Sequence, residues 1–312
     1  MELDSSRFVN PGNFLLIQGE EISDRFGKYP LHLNVTNVPE LITPRGGSSV
    51  YEVLQNNVDA ALSVRERTGR ALMVHINHPN FGYAISAEDL ARVRGERFFE
   101  VYNGHHLVYN RGNPLHASTD RIWDVLLTLR LTELQLPVMY GLATDDGHNY
   151  HDLGPSRKSH PGRGWVMVLA DELTPEALIA AMEAGRFYAS SGVTLAKVTS
   201  SDEGLEVEVT PQPGVQYGID FIGTRKGFNA ESTPVLDTNG KPVNTTRRYS
   251  DDIGVTLRHV KGTRGSYQFQ GNELYVRARI TSSRRHPDPA EEGEFERAWV
   301  QPVVGPAAKH TE

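Results

Sequence analysis

Cysteine is absent from the 312 residues, which removes disulfides, thiolate nucleophiles and cysteine-ligated zinc from consideration. No apolar run approaches the ~20 residues of a membrane-crossing helix. The opening residues Met1–Arg7 lack the basic and apolar regions of a secretory signal. A soluble, cytoplasmic protein is expected for the chain as given, and an exported one if a signal was lost with the N-terminus. Basic residues are not in excess: the net charge is -7 and the isoelectric point about 6.0. That argues against a nucleic-acid partner, which needs clustered Lys and Arg. A small anionic substrate stays open, because a metal ion sets its own local charge. Hydrophobic residues at 38% and charged residues at 23% are ordinary for a globular protein. The length allows one large or two ordinary domains. Oligomeric state is not legible.

What is present falls into two textures. Up to about residue 193, short apolar runs alternate with helical patterns. The runs Phe14–Ile17, Leu31–Val35, Ala71–Ile76, Phe98–Tyr102, Val138–Leu142 and Trp165–Leu169 are predicted strands of the parallel, doubly covered kind. Ser49 and Glu52 form a capping box before a helix with Val53, Leu54, Val58 and Ala61 inward. Ser86, Ser118 or Thr119, and Thr174 with Pro175 start three more helices, the last stopped by Gly185. Such alternation means α/β. From residue 194 to 304 the pattern becomes period two, as in Leu205–Val209 and Leu274–Ile280, which predicts a separate antiparallel, sandwich-like domain with one wet face. Residues 305–312 read as a flexible tail.

Eight of the twelve histidines lie between His75 and His160, and neutral imidazole is the commonest metal ligand. Four segments are expected at the C-terminal ends of strands, where α/β barrels place their chemistry. They are Gly19–Ser23, His75–Asn80, Glu100–His105 and Asp145–His148. Carboxylate and imidazole converging there would suit Zn, Mn or Fe. Each has a plainer reading. Glu20 and Glu21 also read as solvated loop acids, and His78 before Pro79 as a strand-end cap. Asp145-Asp146-Gly147 also reads as a turn, and Glu100 and Asn103 as residues holding neighbouring loops.

At these segments the chain resembles the PHP (polymerase and histidinol phosphatase) superfamily, in particular its carbaryl-hydrolase-like metallohydrolases. Gly19-Glu20-Glu21 matches the Gly-x-Glu motif, His78-Pro79 the His-Pro motif, and Asp146-Gly147-His148 the Asp-x-His motif. Glu100–Asn103, Gly164–Val168, Gly185–Gly192 and Ala298–Pro302 are similar to strings in the same relatives. The resemblance implies a distorted (β/α) barrel with metal ligands Glu21, His78, Asp146 and His148, and Glu21 bridging. Glu20, Glu100, Asn103 and His151 stand as further candidates near the site. It places His32 near the metals and gives His105, an uncoordinated loop histidine, the role of protonating the leaving group. His151 and His160 also sit in loops that read as surface.

The family opens with His-x-His and a later Asp-His pair, and no histidine here precedes His32. The chain therefore resembles a member without its first barrel strands, an incomplete barrel holding fewer divalent ions than a full trinuclear set. The expected function is metal-dependent hydrolysis of a small phosphoester or carboxyl or carbamate ester. The alternative is a non-catalytic binding protein, a decayed barrel with a ligand-binding β domain. An amidohydrolase-like zinc barrel also expects the early His-x-His and explains the later motifs less well.

Overall fold

In a computed structural model the chain is described over residues 13–152 and 158–309. The readings placed on Met1–Arg7 and on residues 310–312 lie outside the described residues. The first half builds an open five-stranded sheet in the order β1 (Gly19–Phe26), β2 (Tyr29–Thr36), β3 (Met73–Ile76), β4 (Phe98–Asn103) and β5 (Tyr140–Thr144). Only β3, β4 and β5 are parallel; β1 and β2 form a hairpin, and β2 lies antiparallel to β3. The predicted strand Phe14–Ile17 does not form. Phe14 and Leu16 stay largely exposed, and the hairpin, turning at positive-φ Gly27, starts its first strand at Gly19.

The helices α1 (Val50–Thr68), α2 (Ala87–Arg92) and α3 (Thr119–Leu129) begin where the sequence signals them. Ser49, Ser86 and Ser118 each accept a first-turn backbone N–H. The box at Ser49 is half formed, because Glu52 reaches back to Ser48 instead. A complete box forms at Ser86 with Asp89. The helices bury Val53, Leu54, Val58, Leu90, Ile122 and Leu126 in one core with Leu31, Leu33 and Val35 of β2. β2 therefore faces two ways: its leucines and valine enter the core, while His32, Asn34 and Thr36 point to the opposite face. A π-helical turn, Arg130–Leu134, follows α3.

β6 (Trp165–Val168), α4 (Pro175–Glu183) and β7 (Phe187–Ser190) lead into the second half, which contains β8 (Leu195–Ser201), β9 (Gly204–Val209) and β10 (Tyr217–Arg225). There follow a small ribbon of β11 (Ser232–Thr233) and β12 (Arg248–Tyr249), then β13 (Val255–Lys261), β14 (Arg264–Gln268), β15 (Glu273–Arg285) and β16 (Phe295–Val304). A six-stranded sheet runs β13-β10-β15-β16-β7-β6, and a three-stranded sheet β14-β9-β8 covers one of its faces. The division expected at residue 193 falls just after β7, so this sheet takes strands from both sides of it. The face expected to be wet is covered too. Val276, Ala278 and Ile280 enter the core beneath the three-stranded sheet, whereas Tyr275 and Arg277, both with 0% exposure, turn towards α3. Arg277 is buried there because Asp124 takes its guanidinium through two bonds of 2.8 and 2.7 Å, and Asp120 a third of 3.1 Å. Gly305 and Ala307 hydrogen-bond to Leu274 and Glu273 rather than trailing freely. Among the described residues no helix is long and apolar enough to cross a membrane.

Candidate metal centre

The face of the first sheet turned away from the helices is polar. In register across it stand Glu21 of β1, Asn34 of β2 and His75 of β3. Glu100 of β4 lies beside His75, its Oε1 3.3 Å from His75 Nε2. Glu21 is the third residue of β1, so it rises from within the sheet rather than from beyond a strand end as expected. His78 does follow its strand, two residues past β3, and takes a positive φ of 22° that is strained for a non-glycine residue. Its backbone N–H donates to Glu100 Oε2 at 2.8 Å, which fixes the bend.

Glu21, His32 and His78 converge, with one ligand atom from each inside a 4.8 Å group. His32 Nδ1 stands 3.3 Å from Glu21 Oε1 and 3.3 Å from His78 Nε2. One ring nitrogen carries at most one proton, so it cannot satisfy both neighbours by ordinary hydrogen bonds. Two donors at ~2.0–2.1 Å on a tetrahedral ion sit ~3.3–3.4 Å apart, so the observed spacing fits a shared cation. Mixed N and O donors suit a divalent ion such as Zn, Mn or Fe. Asn77 orients the set: its side chain donates to Glu21 at 2.9 Å and to Asn34 Oδ1 at 3.1 Å, and accepts the Asn34 N–H at 3.1 Å.

Electrostatics favour a cation at this face. The His32 imidazole holds the Glu21 carboxyl below the usual range, against a smaller effect of burial. Burial opposes ionisation of Glu100, yet His75, His78 and Asn103 more than offset it and bring the carboxyl down to about 2. Burial and then the Glu100 charge push Asp146 up, and burial lowers His78 despite the pull of Glu100. A cleft of about 430 Å³ beside these groups is lined by Glu20, Glu21, Glu100, Asp145 and Asp146, without a lysine or arginine. His75 is buried, with Nε2 3.3 Å from Glu100 Oε1 and Nδ1 buried without a hydrogen-bond partner.

The remaining expected residues are placed as follows. Asp146, at a positive φ of 47°, joins the network through Asn103, whose side-chain amide donates to it at 3.2 Å and to Glu100 at 2.8 Å. His148 is exposed, and its Nδ1 lies 2.8 Å from the backbone carbonyl of Asp146, so it stands outside the Glu21, His32, His78 group. Glu20 points away and accepts the Ile42 N–H. His151 is exposed, and His160 is buried against Asp288 at 2.7 Å. His105 packs edge-on against Phe81 and His148. Burial, then His106 and His148, bring its pKa to about 4, so at neutral pH it lacks the spare proton expected of an acid. Asn34 was not singled out from the sequence, and His75 and Asn77 were named only within the segment His75–Asn80, without a role of their own. Their signal was a polar residue recurring at every second place in otherwise apolar strands.

No family model matches the chain, and no curated protein matches it. Among solved structures it is similar to a two-domain protein from Bacteroides vulgatus containing a predicted PHP-like metal-dependent phosphoesterase. The identity is 12% and the TM-score 0.35, over 95% of this chain and 76% of that one. So loose a likeness carries no argument about the chemistry, which rests on the side chains above.

Proposed function

We propose that the chain is a metal-dependent hydrolase of PHP type, an incomplete barrel acting on a small phosphoester or carboxyl or carbamate ester. The observation that carries this reading is the convergence of Glu21, His32 and His78 on one point above an acidic cleft. These three would hold a Zn, Mn or Fe ion, with Glu100 held against the His78 backbone and Asp146 tied to Glu100 through Asn103. A divalent ion there supplies Lewis acidity and an activated water near neutral pH. The chain's own residues do the rest: Asn77 aims the Glu21 carboxylate, Glu100 clamps the His78 backbone, and Asn103 holds Glu100 and Asp146 together. An ester oxyanion would otherwise be repelled by Glu21, Glu100, Asp145 and Asp146, so binding should depend on the metal.

The test is elemental analysis of protein purified without chelator, beside Glu21→Ala and His32→Ala, with chelator-sensitive hydrolysis of aryl phosphate, acetate and carbamate esters. Near-stoichiometric metal that both variants lose, together with turnover abolished by chelator, supports the proposal. Metal-free wild-type protein would overturn it. A second reading, a metal-holding but non-catalytic binding protein, is favoured by the openness of the site, where the Glu21 side chain keeps 38% exposure. Bound metal without turnover of any ester would select it.

A further inference from the structure

A second cavity, of about 200 Å³, lies where the start of α3 meets β15 and β16. Unlike the acidic cleft, it is lined by three arginines, Arg111, Arg279 and Arg297, beside Ser118, Asp120 and Trp299. The sheet register explains their convergence: Arg279 pairs with Trp299 and Arg297 with Thr281 on adjacent strands, so both guanidinium groups project from the side facing α3.

The carboxylates nearby are already engaged. Asp120 accepts from Arg277 at 3.1 Å and from the Trp299 indole at 3.4 Å, and lies 3.5 Å from Arg279. Glu294 accepts from the Tyr102 hydroxyl at 3.2 Å and the Ala290 N–H at 3.1 Å. Arg279 also reaches Asp220 at 3.2 Å. Among the described residues the Arg297 guanidinium makes neither hydrogen bond nor ion pair, and the Nε atoms of Arg297 and Arg279 are both buried without a partner. Leaving such donors unused is costly. A guanidinium fork matches an oxyanion with two parallel bonds, and the α3 N-terminus adds its positive end to the same side.

We propose that this cavity binds the oxyanion group, phosphate or carboxylate, of a small ligand, independently of the metal centre. Arg297 is its principal contact, with Arg279 and Arg111 as flanking cations. Asn110 connects it to the acidic cleft, since this cavity-lining residue holds the Asn103 backbone through bonds of 3.1 and 2.8 Å.

The test is calorimetric titration of chelator-treated full-length protein with inorganic phosphate and, separately, with acetate. Wild type, Arg297→Met, Arg297→Lys and Glu21→Ala are compared, each checked for an unchanged melting profile. Wild type and Glu21→Ala are expected to bind alike, Arg297→Met about tenfold more weakly, and Arg297→Lys in between, because lysine keeps the charge and loses the fork. If Arg297→Met fails to fold, the conservative Arg297→Lys decides. Preference for phosphate or acetate names the group that the natural ligand carries. Absence of saturable binding of either anion by wild type would overturn the proposal. So would binding undiminished in the Arg297 variant that folds, or binding lost in Glu21→Ala.

Discussion

Replacing Arg277 with methionine tests whether the two halves share one buried electrostatic joint. The guanidinium gives two bonds to the Asp124 carboxylate, one to the Asp120 carboxylate and one to the Asp120 backbone carbonyl, lies 4.7 Å over the Trp123 ring, and is wholly enclosed. Methionine refills most of the stem but leaves the Asp124 carboxylate with the Tyr275 hydroxyl, at 2.9 Å, as its remaining side-chain partner. Asp120 fares better, keeping Arg279 and the Trp299 N–H. Removing one partner of a buried pair costs ~3–5 kcal/mol. The retained bonds place this variant at ~3–4, a large part of the ~5–15 kcal/mol that usually separates folded from unfolded. Arg277→Met/Asp124→Asn removes the stranded charge and keeps an acceptor for Tyr275, so it should recover ~1.5–2 kcal/mol of that loss. Urea unfolding followed by tryptophan fluorescence suits the question, since Trp123 and Trp299 both flank the joint and are buried. One transition, shifted to lower urea in the single variant and partly restored in the double, is expected. A loss below ~1 kcal/mol, or a double variant less stable than the single, would refute the argument that the stranded carboxylate dominates.

The metal centre predicts an asymmetry between histidines: His32→Ala should abolish near-stoichiometric metal, whereas His148→Ala should retain most of it, by elemental analysis of the purified proteins. Burial opposes ionisation of Asp120, but Arg279, Arg277 and Arg297 outweigh it and hold the carboxyl below the usual range. A depressed carboxylate stabilises above its unfolded pKa, near about 3.9, and loses that contribution as pH falls through the lower folded value. Thermal melts should therefore drop more steeply as pH falls below about 4 in wild type than in Asp120→Asn; parallel curves would contradict this. Gly164 has no room for a side chain, since an added Cβ would stand 2.5 Å from the Thr144 carbonyl oxygen. Gly164→Ala should cost ~1–3 kcal/mol by forcing the backbone beyond β5 to shift, readable as a lower urea midpoint.

Local chemistry was legible from the chain. Ser49, Ser86, Ser118 and Thr174 begin helices because a short hydroxyl side chain satisfies first-turn N–H groups wherever the chain goes next. The α/β texture and the change to period two near Leu195 also follow from residue order, whereas the candidacy of Glu21, His32 and His78 came from the resemblance carried by their motifs. Three matters were decided only by tertiary structure. Strand pairing set β1 and β2 as a hairpin, because pairing partners are chosen by burial of a whole sheet face and not by any local run. The alternation in β15 marked two faces but could not say that the arginine face is covered; that depended on Asp120 and Asp124 of α3 arriving from more than a hundred residues away. The metal centre, too, took Asn34, His75 and Asn77 into its surroundings through lateral register across β1, β2 and β3. Periodicity tells a residue which face it is on; only the packed sheet tells it whom it meets there.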